Sequence, residues 1–426
     1  MTEDSSRPRA KSDGALERVF REESGRVLAT LVRIVGDIDL AEEILQEAMV
    51  AAIERWPASG VPDHPGAWLT TVGRNRALDI VRRRNRFEAK REDIAREFAD
   101  ETMPATGASE PIADDRLRLI FTCCHPELAS ESRVALTLKL VGGLSTPEIA
   151  RAFLVSEATV AQRIVRARKT IRDRKLPYVV PEAVELPERL ASVLSVIYFI
   201  FNEAYTARAG DSLVRADLCD EAIRLGTLLA GLMPDEPEVL GLLALMETQA
   251  SRNRTRVDVA GNIILLADQD RSAWDRELIR RGLGHLQAAR ALGKSGFYQL
   301  QAGIAECHAA TPTWADTDWR RIAMLYSELQ RLSPSPVVEL NRAVAVCMVD
   351  GPAAALAILD AVKGAPQLGE YHLLPATRAD FLRRLDRFAE AAAEYRRAIT
   401  LTHNHREVEF MRGRLAECEA KQSARG

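Results

Sequence analysis

The chain has 426 residues, 47% of them hydrophobic and 28% charged, with a formal net charge of −3. That length points to two to four domains with ample apolar material for cores, and the balanced charge leaves overall pI a poor guide to partners. Aromatic residues are only 5%, while Ala, Leu, Arg and Glu abound, a composition that favours helix.

The six cysteines are scattered and form no C-x-x-C pair. Cys123-Cys124-His125 invites a metal reading, but adjacent cysteines rarely chelate one tetrahedral ion, so reduced structural thiols in a cytoplasm are expected, with no metal and no cofactor. The start, MTEDSSRPRAKSDG, has no apolar core and does not read as a signal peptide. The longest apolar run, Leu190 to Phe201, is too short for a bilayer, so a soluble, cytoplasmic protein without membrane contact is expected.

Residues 1–14 read as a disordered tail. Helical periodicity starts near Ala15 and runs through Phe20, Val27, Leu28, Leu31 and Val32 to a break at Gly36-Asp37. Asp39 is placed as the cap of the next helix, with Ile44, Leu45, Ala48 and Ile53 facing inward. The outer face of that helix carries Glu42, Glu43, Gln46 and Glu47, which suits either solvent or a basic partner. After a Pro/Gly-rich loop at 57–66 comes a helix with Trp68, Leu69, Val72, Leu78 and Val81 as its inner stripe. Arg74, Asn75, Arg76, Asp79, Arg82 and Arg83 lie on its outer face. From Gly66 to Lys90 there are seven Lys/Arg against two acids, a local net of +5.

Residues 91–113 reverse the sign and read as an acidic linker. Residues 114–178 then form a four-helix unit that ends in a helix-turn-helix. Ser145-Thr146-Pro147-Glu148 is a start signal, with a hydroxyl three residues before a Glu and Pro where a missing N–H costs least. Ile149, Ala150 and Phe153 supply its apolar stripe. Ser156 is the expected cap of the following helix, whose buried face is Val160, Ile164, Ala167 and Ile171. Thr159, Gln162, Arg163, Arg166 and Lys169 remain for base edges and phosphates. Ser156 to Lys175 again nets +5, from seven Lys/Arg and two acids.

From Pro187 the chain turns to long Ala/Leu-rich helices without basic clusters. Pro336 to Val362, with a turn at Asp350-Gly351-Pro352, is one helical hairpin, and Leu374 to Leu401 is the next. Their spacing and their Ala and Tyr395 positions are those of tetratricopeptide-like pairs, clearest over 336–418, which stack into curved surfaces that bind peptides or other domains.

Catalysis has little support. Asn202, Glu203 and Tyr205 could line a polar pocket, but there is no phosphate loop, no metal-ligand spacing and no nucleophile elbow, so no enzyme is expected. A one-component regulator, helix-turn-helix plus helical sensor, is the alternative reading. It leaves Asp39–Trp56 and the Gly66–Arg84 helix without a role.

Taken together, the segments resemble sigma factors of the sigma-70 family, and among them the extracytoplasmic-function type that retains only regions 2 and 4. Asp39-Leu-Ala-Glu-Glu-Ile-Leu-Gln-Glu is similar to region 2.2, Trp68 to Asp79 to regions 2.3 and 2.4, and Leu144 to Lys169 to region 4.2. The departures are Leu154 and Ala158, where Gly is frequent. Phe201-Asn202-Glu203-Ala204-Tyr205 and Asn341 to Val346 resemble the subgroup with a long tetratricopeptide-like extension. The resemblance implies an all-α chain: a region 2-like domain at 15–90, the linker, a region 4-like domain at 114–178 and an extension at 187–426.

It also implies core RNA polymerase (β′ clamp and β flap) and promoter DNA, including the melted −10 strand, as partners. Asp39, Glu42, Glu43, Gln46 and Glu47 would meet polymerase. Arg74, Asn75, Arg76, Asp79, Arg82 and Arg83 would meet the −10 element, and Thr159, Gln162, Arg163, Arg166 and Lys169 the −35 element. An extension folded against the sigma domains would gate their access to polymerase.

Overall fold

The computed structural model describes residues 23–95, 112–153, 155–205, 216–256, 258, 264–362, 364–365, 368–369, 371–402 and 405–423. Among these the secondary structure is helical, without strands. Two compact units divide the chain between Ile197 and Tyr198.

In the first unit, helix α1 (residues 23–35) lies with α2 (Ile38–Ser59) and α3 (Pro65–Ala95). The break between α1 and α2 falls at Gly36, whose φ of 70° favours a residue without Cβ. The cap of α2 is Asp37, not Asp39: the Asp37 carboxylate accepts from the Leu40 amide at 2.9 Å. Ile38 is buried, which starts the helix earlier and leaves Asp39 in its first turn. Ala41, Ile44, Leu45, Ala48, Ala52 and Trp56 form the buried face. Ile53, expected inward, is 52% exposed, because a 3.6-residue period carries the stripe through Ala52 instead.

The inner stripe of α3 is likewise shifted. Gly66, Leu69, Gly73 and Ala77 are buried, whereas Trp68, Val72, Leu78 and Val81 are half-buried. Small residues let this helix approach closely: a Cβ on Gly73 would stand 3.2 Å from both methyl groups of Leu31. A search for large apolar residues misses such a seam. Trp56 and Trp68 meet edge to face at 5.4 Å. Helix α3 continues to Ala95, inside the stretch expected as linker. Residues 96–111 lie outside the described residues, as do the expected tail and Leu154.

Helices α4 (Ile112–Cys123), α5 (Ser130–Leu140), α6 (Thr146–Phe153) and α7 (Glu157–Asp173) form the four-helix part. Leu119, Phe121, Leu136, Leu138, Leu140, Ile149, Val160 and Ile164 make its core. Each such side chain contributes roughly 1.5–3 kcal/mol relative to exposure. Cys123 and Cys124 belong to the same interior, and burial pushes the Cys124 thiol up to about 11.

Helix α8 (Leu186–Tyr205) crosses the division between the units, and its first half is fastened to the four-helix part. The Arg189 guanidinium donates to the Phe121 carbonyl at 3.0 Å. The Ser192 hydroxyl donates to the Cys124 carbonyl at 2.6 Å and accepts from Arg133 at 2.6 Å.

The second unit is a succession of helices. They are α9 (Ala216–Leu232), α10 (Pro237–Ala250), α11 (Arg276–Ala291), α12 (Phe297–Ala309), α13 (Trp319–Leu332), α14 (Pro336–Asp350), α15 (Pro352–Val362), α16 (Leu373–Arg384), α17 (Phe388–Leu401) and α18 (His405–Ser423). The two hairpins read from sequence are α14–α15 and α16–α17. They share a core of Leu340, Ala343, Leu359, Phe381, Ala391 and Tyr395. Asn341 lines a cavity of about 720 Å³ together with Trp314, Trp319, Tyr326 and His372. His308 stacks on Trp314 there, and burial pulls its imidazole down to about 3, so it is neutral at physiological pH.

Candidate nucleic-acid interface

The helix-turn-helix carries both of the punctuation marks its sequence displays. At α6 the Ser145 amide donates to the Glu148 carboxylate at 2.7 Å, and the Glu148 amide donates back to the Ser145 hydroxyl at 3.4 Å. This is a reciprocal capping box. At α7 the Ser156 hydroxyl accepts from the Thr159 amide at 3.1 Å and pairs with the Thr159 hydroxyl at 2.8 Å. Replacing Ser156 by Ala should therefore cost about 1 kcal/mol of local stability. Hydrogen exchange of the α7 amides measures this, and unchanged protection of the first turn would show that the cap is dispensable.

Val160, Ile164 and Ala167 are buried, which turns Gln162, Arg166 and Lys169 to the surface and leaves Arg163 half-buried. The side chains of these four have no partner among the described residues. Thr159 differs, since its hydroxyl is engaged in the cap. Backbone amides at the helix start, the exposed amide of Gln162 and three cations thus share one surface, a combination suited to phosphate and to the acceptor edge of guanine.

On α3, Arg74, Asn75, Arg76, Asp79, Arg82 and Arg83 are all exposed. Arg76 forms a fork on Glu47, at 2.8 and 3.3 Å, and that hydrogen bond holds its guanidinium above the ordinary value. Arg82 lies 3.9 Å from Asp79. Two of the side chains assigned to separate partners, Glu47 and Arg76, are therefore neighbours on one surface.

The acidic face of α2 is divided. Glu43, Gln46 and Glu47 are exposed and continue into Val50 and Ile53, which are 53% and 52% exposed. Asp39 and Glu42 instead face α7. Arg168 bridges them, donating to Asp39 at 2.6 Å and also to Glu42. Lys139 of α5 lies 3.8 Å from Glu42, and Arg172 lies 3.6 Å from Asp39. Burial lowers the Arg168 pKa, but the Glu42 and Asp39 carboxylates outweigh it and hold the guanidinium above its ordinary value.

A second tie runs deeper. Asp115 of α4 is wholly buried and is met by Arg33 of α1 at 2.9 Å and by Arg118 at 3.4 Å. The Tyr178 hydroxyl donates to the carbonyls of Ala29, at 2.9 Å, and Asp115, at 3.1 Å. Gly25 completes the seam: a Cβ there would stand 2.7 Å from the Val141 carbonyl.

Sequence reasoning missed this set of Arg168, Arg33, Asp115 and Tyr178. Arg168 is a residue past the buried Ala167 on α7, so its phase hinted at a packed side, but it reads as one more cation in a basic run. The side chains of Glu203 and Tyr205 lie outside the described residues. Among the described residues no three metal-ligating side chains converge, and no helix is long and apolar enough to cross a membrane.

Three family models match in succession: Sigma-70 region 2 over residues 19–87, Sigma-70 region 4 over 118–171, and a family of unknown function (DUF6596) over 189–290. An uncharacterized protein of Rhizobium meliloti is 43% identical over 399 residues, 93% of this chain and 94% of that one. The ECF RNA polymerase sigma factor SigE of Mycolicibacterium smegmatis is 31% identical, over 37% of this chain and 60% of its own length. The probable ECF RNA polymerase sigma factor SigI of Mycobacterium tuberculosis is 28% identical, over 34% and 50%. No solved structure matches the chain.

Proposed function

The chain belongs to the sigma-70 family of RNA polymerase sigma factors, in its extracytoplasmic-function group, and from that membership we propose that it binds core polymerase and directs initiation at promoters read by α7 and α3. In this reading α7 enters the major groove of the −35 element. Arg163 and Arg166 hold phosphates or guanines, Gln162 lies nearer base edges, and Lys169 adds a phosphate contact. The arginines of α3 hold the −10 strand, and Asn75 with the loop before α3 receives an unstacked base. Glu43, Gln46 and Glu47, with Asp39 and Glu42 when these are free, pair with basic residues of the polymerase clamp. The protein acts as an initiation factor, with no chemistry of its own.

The observation that carries this is the capped α7 with Gln162, Arg163, Arg166 and Lys169 together on its surface and without partners among the described residues. Multi-round transcription from a genomic promoter library, with purified core polymerase and with or without this protein, tests it. Transcripts that depend on the protein and share two upstream elements are expected. No transcripts and no binding to core would leave a one-component DNA-binding regulator.

The extension is the regulatory part in this proposal. The division inside α8 dictates how that is tested. A chain ended near Pro181 would also strip α8 from Phe121 and Cys124, exposing the surface that buries Leu190, Val193 and Leu194. A chain ended after Tyr205 keeps those contacts. It is expected to initiate transcription without the conditions that the full chain requires, and equal activity of the two chains under all conditions would end the gating idea.

A further inference from the structure

The second unit contains a cavity to which the proposed function gives no task. Its volume is about 720 Å³, inside the roughly 300–1,000 Å³ of small-molecule sites, and residues of α13, α14, α16 and α18 line it. An adjoining cavity of about 490 Å³ shares His308, Tyr326 and Asn341 with it. Helix α14 gives Asn341, Val344 and Met348 to the lining, at the three- and four-residue spacing of one helix face. Asn341 and Val344 are exposed there, while Leu340, Ala343 and Cys347 on the same helix are core.

One wall is aromatic and built in advance. Trp314 and Trp319 meet at 4.5 Å, and His308 lies 5.3 Å from Trp319 and stacks on Trp314 at 6.2 Å. Arg271, only 4% exposed, fixes the loop that carries Trp314. Its guanidinium donates to the carbonyls of His308 and Thr311, at 2.8 and 3.1 Å, and to the hydroxyls of Thr311 and Thr317, at 2.6 and 3.0 Å. Such a wall holds a flat ring by stacking and edge contact. The neutral His308 adds surface without charge.

The charges around the wall set the sign of the ligand. Aromatic rings alone would also attract a cation. Here Arg271 meets only neutral acceptors, so an uncompensated positive charge stands behind the wall. On α16, Arg383 and Arg384 share one carboxylate, that of Asp380, at 2.6 and 2.8 Å. Nη1 of Arg384 is left against the sulfurs of Cys347 and Met348, each at 3.8 Å, which are weak acceptors that a ligand oxygen would improve upon. The opposing carboxylate of Asp268 is exposed, where solvent screens it.

We propose that this cavity is a binding site for a small aromatic carboxylate, with its ring against Trp314, Trp319 and His308 and its carboxylate toward Arg384 and Asn341. The inference concerns what the second unit binds and stands apart from the sigma-factor reading of the first.

Titration calorimetry of the full chain with 2-naphthoate tests it, with 2-naphthamide and 2-naphthyltrimethylammonium as the neutral and cationic counterparts. Naphthoate should bind saturably with a Kd on the order of 10–100 µM, and both counterparts at least about tenfold more weakly. Asn341 is exposed and has no partner among the described residues, so Asn341→Asp should leave the fold intact. Its negative charge should weaken naphthoate about tenfold or more. Arg384→Gln should also weaken naphthoate about tenfold while leaving the amide almost unchanged. Trp314→Ala should weaken all three. If that chain does not fold, the Asn341→Asp comparison decides.

No saturable binding of naphthoate below about 1 mM overturns the site. Naphthoate affinity unchanged in Asn341→Asp and Arg384→Gln places the ligand elsewhere and overturns it too. Equal or tighter binding of the amide or the ammonium compound overturns the assignment to a carboxylate.

Discussion

Replacing Arg163 and Arg166 together by Ala is expected to reduce promoter-specific initiation by a factor of about 30 to 10⁴. Each guanidinium that meets a base edge or a phosphate in the major groove contributes about 1–3 kcal/mol, and every 1.4 kcal/mol is tenfold. The fold should survive, since neither side chain has a partner among the described residues and the buried face of α7 is Val160, Ile164 and Ala167. The single changes assign the roles. If Arg163→Ala relaxes the preference at one −35 position, Arg163 reads a base. A uniform loss across promoter sequences makes it a phosphate contact. Initiation within a factor of two of the parent for the double change would remove α7 from the DNA altogether. The two residues are one turn apart, so their effects need not add.

Asp115→Ala is expected to destabilise the first unit by about 3–5 kcal/mol, the range for removing one partner of a buried ion pair. The carboxylate is wholly buried, and its loss takes from Arg33 and Arg118 the acceptor that the two share. Asp115→Asn, which retains an acceptor but not the charge, should lose less. Because the chain has two compact units, a single melting temperature would blend them. Hydrogen exchange resolved by peptide is the suitable measurement, and faster exchange should be confined to residues before Ile197. A change under about 1 kcal/mol would mean that solvent, which already reaches Arg33 at 34% exposure, compensates the guanidinium groups once the carboxylate is gone.

Local signals in the sequence translated closely into local structure. Ser145 and Glu148 form the expected capping box, and Ser156 caps α7 as read. The helix-turn-helix register follows from Val160, Ile164 and Ala167, whose spacing fixes which residues can face outward. The Asp350-Gly351-Pro352 turn separates α14 from α15 as placed. Readings that relied on choosing between similar neighbours went less well. Asp37 and Asp39 are both acceptable caps by type, and the burial of Ile38 decided for Asp37. Gly66, Gly73 and Ala77 form the seam of α3, and small residues carry no hydrophobic signal to reveal it.

The sequence by itself determined the helical class, the two basic modules, the capped helix α7 and the paired helices near the end. Each of these depends on periodicity, capping or composition, which act over a few turns of chain. Only the tertiary structure decided which charges are available. Glu42 and Glu43 are adjacent in the chain, yet one is held by Arg168 and the other faces solvent. Arg168 and Lys169 are adjacent too, and they divide in the same way. Asp115 and Arg33 are 82 positions apart and meet at a carboxylate that is wholly buried. Charge pairing at that separation leaves no mark on local pattern, because it is fixed by how helices pack and not by how each one forms.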